Sequence, residues 1–103
     1  MNRIQIESYF ATRVKQMGKG YTLFATLPIK NAEHIEWGIK AVIKDPIGNE
    51  YQSVYVYDEF QNKGMMTEYI KLAHRPFITA NECGIEAWFK KNKVPYLMVP
   101  LSE

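Results

Sequence analysis

The sequence predicts an α+β fold, in which two antiparallel hairpins form a four-stranded sheet and two C-terminal helices cover one face. Three observations indicate this class. Apolar and polar side chains alternate with a period of two through much of residues 3–57. Beyond residue 64 the apolar residues recur with a helical period. Two turn-rich segments, MGKG and DPIGN, divide the alternating part into hairpins.

The composition indicates one domain over residues 1–103, with 47% hydrophobic and 23% charged residues. The net charge of +2 does not by itself point to nucleic acid. A single cysteine excludes an internal disulfide, so we expect a reducing, cytoplasmic compartment. No apolar run has the length of a signal peptide or a membrane span. The abundance of Ile, Asn and Tyr, with more Lys than Arg, is typical of small proteins from AT-rich bacterial or phage genomes.

The first predicted hairpin joins NRIQIESYF (residues 2–10) to YTLFATLPI (residues 21–29) through the two glycines of MGKG. Pro28 suits a strand end or an edge strand, because proline cannot donate to a ladder. With the next strand included, we expect the buried face of the sheet to hold Ile4, Ile6, Phe10, Leu23, Leu27, Trp37, Ile39 and Ile43.

The second predicted hairpin joins IEWGIKAVIKD (residues 35–45) to EYQSVYVYDEF (residues 50–60). Its return strand carries tyrosines on one face and valines on the other. A register shift of one residue exchanges the two faces, so either can lie against the apolar row of the preceding strand. We favour the arrangement that leaves Tyr51, Tyr55 and Tyr57 exposed, beside Lys40 and Lys44.

The last third of the chain predicts two helices and a tail. MMTEYIKLAHR (residues 65–75) forms a short amphipathic helix that ends before Pro76. TANECGIEAWFKKN (residues 79–92) begins with Thr79 and Glu82 at capping-box spacing. VPYLMVPL (residues 94–101) fits a short edge strand or an extended segment packed across the helices.

Catalytic and metal-binding residues are sparse. Cys83, with His34 or His74 as a base, is a candidate nucleophile, but its position on the apolar helix stripe favours a buried core thiol. Two distant histidines give no metal-ligand spacing. We therefore expect no enzyme activity, no metal and no cofactor, and no motif is specific enough to name a family.

The sequence instead favours a small non-enzymatic interaction module that binds another protein, as a homodimer, an adaptor or an inhibitor, and that does not bind a membrane. Aromatic and Met residues, which are enriched at interfaces, concentrate in the last part of the chain. The alternative is a single-stranded nucleic-acid-binding protein that stacks bases on a tyrosine-rich strand rimmed by lysines. Across both hypotheses, the candidate interaction surface is Tyr51, Tyr55, Tyr57, Lys40, Lys44, Trp88, Phe89, Tyr96 and Met98.

Overall fold

The computed structural model describes residues 2–73, 75–80 and 85–99. Over these residues the elements, in chain order, are α1 (Arg3–Met17), β1 (Thr22–Lys30), β2 (Glu36–Lys44), β3 (Glu50–Val56), a 3-10 turn (Asp58–Phe60), α2 (Met65–Tyr69), β4 (Phe77–Ala80), α3 (Ile85–Lys91) and β5 (Tyr96–Val99). The strands form one sheet in the order β1-β2-β3-β4-β5. The α+β class is confirmed, but the sheet is five-stranded and mixed, since β4 pairs in parallel with both neighbours.

The first predicted hairpin is wrong, because its first strand is helix α1. Ile6, Phe10, Val14 and Met17 recur every three or four residues and form the buried stripe of this helix. The side chains of Asn2 and Gln5 form a capping box at its start. The apolar residues between positions 4 and 10 fit a strand as well as a helix. Only the longer apolar stripe, which continues to Met17, shows that the segment is helical. Ile4, which was expected in the core, is 79% exposed.

The second predicted hairpin is confirmed. Strands β2 and β3 pair antiparallel, with Ile39 opposite Tyr55 and Ile43 opposite Tyr51. The Asp45 carboxylate holds the turn by accepting bonds from the backbone N–H groups of Ile47, at 3.0 Å, and Asn49, at 2.9 Å. This register decides which side chains of β3 join the apolar row of β2.

The sheet has two covered faces, which we name the α1 face and the α3 face. On the α1 face, the buried stripe of α1 packs with side chains of three strands: Ile39, Ala41, Ile43, Ile78 and Val99. On the α3 face, aromatic rings form a chain of contacts through Trp37, Tyr69, Phe77, Phe89 and Tyr96. The domain is thus three-layered, and both layers of helix bury apolar surface against the sheet.

Trp37 and Leu27 were expected on the buried face of the sheet with the isoleucines of β2, but they lie on the α3 face. A bulge at Trp37 leaves this residue without a partner in β1, and its ring contacts Tyr69 at 5.8 Å. A second bulge at Phe24 shifts β1 so that Leu27 faces Lys40, where it is exposed. Each bulge adds one residue to a strand and so reverses the parity on which the prediction relied.

The C-terminal half alternates strands and helices. Thr79 is not a helix cap but a residue of β4, in which Phe77 and Ile78 are fully buried. The predicted helix over residues 79–92 is confirmed only from Ile85, and α2 ends at Tyr69 rather than at residue 75. The predicted edge strand is confirmed as β5. Cys83, His74 and Glu82 lie outside the described residues.

Candidate functional site

The tyrosines of β3 lie on the α1 face, so the expectation that they form an exposed surface is wrong. Tyr51 and Tyr55 stand opposite Ile43 and Ile39, and directly opposed residues share a face. Together with Tyr57, they are half-buried and pack against the core under α1. Their rings therefore contribute to the core rather than to a free platform.

The hydroxyl groups of these tyrosines face carboxylates. Tyr57 donates a hydrogen bond to Glu36, and Tyr55 donates one to Asp58 at 2.8 Å. Burial, followed by the bond to Glu36, raises the pKa of Tyr57 to about 12. For Tyr55 the bond to Asp58 is the main cause of a raised pKa, followed by burial. Both phenols are held neutral at the margin of the core.

The lysines of β2 lie on the other side of the sheet. Lys40 stands opposite Val54, and Lys44 stands opposite Glu50. The Lys44 ammonium is 3.9 Å from the Glu50 carboxylate and 4.0 Å from the centre of the Phe24 ring. The sheet therefore separates the lysines from the tyrosines, and the combined surface expected from the sequence does not form.

Of the four C-terminal candidates, one reaches an open cleft. Phe89 is buried between Phe77 and Tyr96 and belongs to the core. Tyr96 stacks on Phe89 and donates its hydroxyl hydrogen to Glu86 at 2.8 Å. Met98 is a half-buried residue of β5, paired with β4. Trp88 packs edge-on against Phe89 and lines the cleft.

This cleft, which we name the valine cleft, has a volume of about 460 Å³ and opens on the α3 face. Val54 and Val56 form its floor, since their side chains lie on the face of β3 that is opposite to the tyrosines. Its walls come from the segment that follows β3 and from α3: Phe60, Met65, Met66, Ile85 and Trp88. The site lies at the carboxyl end of β3, which is where crevices of open sheets with parallel strands commonly bind ligands.

The described lining of the cleft is mostly apolar. Its remaining residues are Gln61, Asn62, Gly64 and Thr67, so none of the lining residues that the structure describes is ionisable. Asn62 and Gly64 both adopt positive φ, which folds the segment between β3 and α2 into a tight wall. The described part of this site offers apolar contact and a few neutral hydrogen-bonding groups.

Most of the residues that line the cleft were not predicted from the sequence. Met65 and Met66 were placed on a predicted helix, and the valines were expected to face the core if the tyrosines did not. A usable signal was present in the adjacent methionines directly after Gly64, since Met favours adaptable contact surfaces. The position of the wall that α3 contributes depends on the parallel crossover between β4 and β5, which no local sequence pattern indicates.

The described residues contain no group of three or more potential metal ligands. No helix in the described ranges combines the length and hydropathy needed to cross a membrane. Comparison of the chain with protein-family models, with curated proteins and with solved structures gave no match.

Proposed function

We propose that this protein is a small non-enzymatic binding module that takes an apolar segment of a partner protein into the valine cleft. The observation that supports the proposal is an open cleft walled by two methionines and a tryptophan, whose described lining is uncharged. Tryptophan and methionine are enriched at protein interfaces. The single cysteine of the chain is consistent with action in a reducing compartment such as the cytoplasm.

The composition of the walls fits a peptide side chain better than a charged ligand. A carboxylate or an ammonium group entering the cleft would lose its hydration without gaining a charged partner among the described lining residues. Met65 and Met66 have unbranched side chains that adapt to different apolar shapes. Trp88 contributes a large flat contact area at low entropic cost, as binding hot spots commonly do.

We do not propose single-stranded nucleic-acid binding as a second function. That hypothesis depends on tyrosine rings flanked by lysines, whereas Lys40 and Lys44 lie across the sheet from the tyrosines. Two of the tyrosine hydroxyls also contact carboxylates, which would repel phosphate. Anisotropy of a labelled single strand at low salt tests this directly, and we expect no binding.

Selection from a phage-displayed library of random peptides tests the proposed function. The immobilised protein should enrich peptides with apolar residues, and those peptides should not bind the variant Met66→Glu, which places a charge in the cleft wall. Leu72→Glu is the matched control, because Leu72 is exposed and does not line the cleft. Peptides that bind all three proteins equally, or a selection without enrichment, would contradict the proposal.

A further inference from the structure

Strand β3 is fully paired on one side only. Its inner side pairs with β2 from Glu50 to Val56. On its outer side, pairing with β4 consists of the pair Gln52 and Phe77, with the Gln52 N–H donating to the Pro76 carbonyl at 2.9 Å. Among the residues that the structure describes, no strand pairs with the outer side of residues 53–56. With respect to the described strands, the end of β3 nearest the cleft is therefore an open edge.

The peptide groups that point to this open edge can be assigned. In an antiparallel ladder, the backbone groups of successive residues point alternately toward and away from the partner strand. The Tyr57 N–H points toward β2, where it donates to the Trp37 carbonyl at 3.0 Å, and the Gln52 N–H points away. The residues of matching parity between them, Val54 and Val56, therefore direct their N–H and C=O groups outward.

One of these outward groups already has a substitute partner. The Val56 carbonyl accepts a hydrogen bond from the side-chain amide of Gln61 at 3.1 Å. No described residue outside β2 makes a hydrogen bond to the backbone of Val54. A strand edge with a free donor and acceptor is a template for another extended chain.

Val54 and Val56 thus offer two features in one place. Their backbone groups present a strand edge, and their side chains form the floor of the valine cleft. Recognition by strand addition uses this pairing of features: main-chain hydrogen bonds supply affinity, and a pocket for alternate side chains supplies specificity.

We propose that the partner segment binds in extended form, adding as a short strand along residues 54–56 and inserting an apolar side chain between Met66 and Trp88. This inference rests on the proposed function and names the conformation of the bound segment. The segment is uncharged at the inserted position, because none of the lining residues in the described part of the chain can neutralise a charge. Its N–H takes the place of the Gln61 amide on the Val56 carbonyl.

Backbone N-methylation of the selected peptides tests this inference. Each peptide is resynthesised with one N-methyl group at successive positions, which removes one N–H and leaves every side chain unchanged. Because strand N–H groups point alternately to the two sides, we expect affinity to fall about tenfold at alternate positions and to change little between them. Calorimetry gives each dissociation constant. Amide exchange at Val54 should also slow when the unmodified peptide is bound.

The outcomes separate this inference from the proposed function. If N-methylation has no alternating pattern while Met66→Glu still abolishes binding, the strand geometry is overturned and the cleft remains a protein-binding site. Unchanged exchange at Val54 in the bound state would overturn it too. If no selected peptide depends on Met66, both proposals fail together.

Discussion

The two faces of β3 differ in how closely their side chains pack against the rest of the protein. On the α1 face, the rings of Tyr55 and Tyr57 pack on the core, and their hydroxyls donate to carboxylates. On the α3 face, Val54 and Val56 form the floor of an open cleft. Aromatic side chains with polar tips can close the margin of a core, whereas small branched side chains leave room above them. Residue type alone therefore does not tell which face binds a partner.

The comparison can be tested first through stability. Ile39 is fully buried on the α1 face, so Ile39→Ala should lower the free energy of unfolding by about 3 kcal/mol, from lost burial and a residual cavity. Val54→Ala, on the cleft floor, truncates a side chain that is only partly buried and should cost about 1 kcal/mol. Urea unfolding measures both values. Equal losses for the two variants would mean that the cleft is as tightly packed as the core.

A second test concerns the backbone next to the cleft. Gly38 lies opposite Val56, and a Cβ atom at this position would meet the carbonyl oxygen of Tyr55 at 2.5 Å. A backbone oxygen in a paired strand cannot move away cheaply, so Gly38→Ala should destabilise the protein by about 2 kcal/mol. Gly48→Ala is not a suitable control, because Gly48 has a positive φ. Urea unfolding measures the loss, and a free energy of unfolding equal to that of the wild type would disprove the close approach.

The third test uses pH on the tyrosine side. The pKa of Tyr57 is raised to about 12 from an ordinary value of 10.0, so the folded state holds its proton more tightly than the unfolded state. The stability from this group is then complete below pH 10 and is lost as the pH rises toward 12. Tyr57→Phe should cost about 1 kcal/mol at neutral pH, through the lost hydrogen bond to Glu36.

The same variant should show a smaller fall in stability than the wild type between pH 10 and pH 12, because one of the tyrosines with a raised pKa is absent. Unfolding in urea at about pH 9 and again at about pH 11.5 makes the comparison. Parallel pH curves for the two proteins would show that Tyr57 is not held by Glu36 in solution.

The sequence predicted the parts of the fold that depend on local pattern. The hairpin of β2 and β3 follows from alternation on both sides of a turn that Asp45 organises. Helix α1 was misassigned because Ile4 and Ile6 fit a period of two over a window too short to show the stripe that ends at Met17. The strand β4 was hidden by an apparent capping box that begins at Thr79, a residue that lies in a parallel strand.

The candidate site was less accessible to sequence reasoning than the fold. Trp88, one of the candidate residues, lines the cleft, but the floor and the facing wall were not identified. They come together because two parallel crossovers follow β3: the connection to β4 carries Met66, and the connection from β4 to β5 carries α3. The register of β2 and β3 determines the face on which Tyr55 lies. A register shift of one residue would reverse that face, and the amino-acid composition does not reveal it.

The smallest expected effect lies at the open edge of β3. Gln61 donates its side-chain amide to the Val56 carbonyl at 3.1 Å, and it also contacts Asp58 at 3.3 Å. Gln61→Ala should lower the free energy of unfolding by only a few tenths of a kcal/mol, because both bonds are exposed to water. The same change removes the group that competes with a partner strand for this carbonyl. Peptides from the library selection should then bind about two- to threefold more tightly, since the bound chain no longer displaces an existing bond.

This last variant sharpens the contrast between the two faces. Arg13→Ala, on helix α1, changes an exposed hydrogen bond to Tyr9 far from the cleft and should leave peptide affinity unchanged. Calorimetric titration of both variants with the same peptide gives the comparison. If Gln61→Ala weakens binding, the glutamine contacts the partner rather than occupying its place, and the bound segment does not reach the Val56 carbonyl. Tighter binding would identify the valine side of β3 as an edge that the protein covers with its own side chain until a partner arrives.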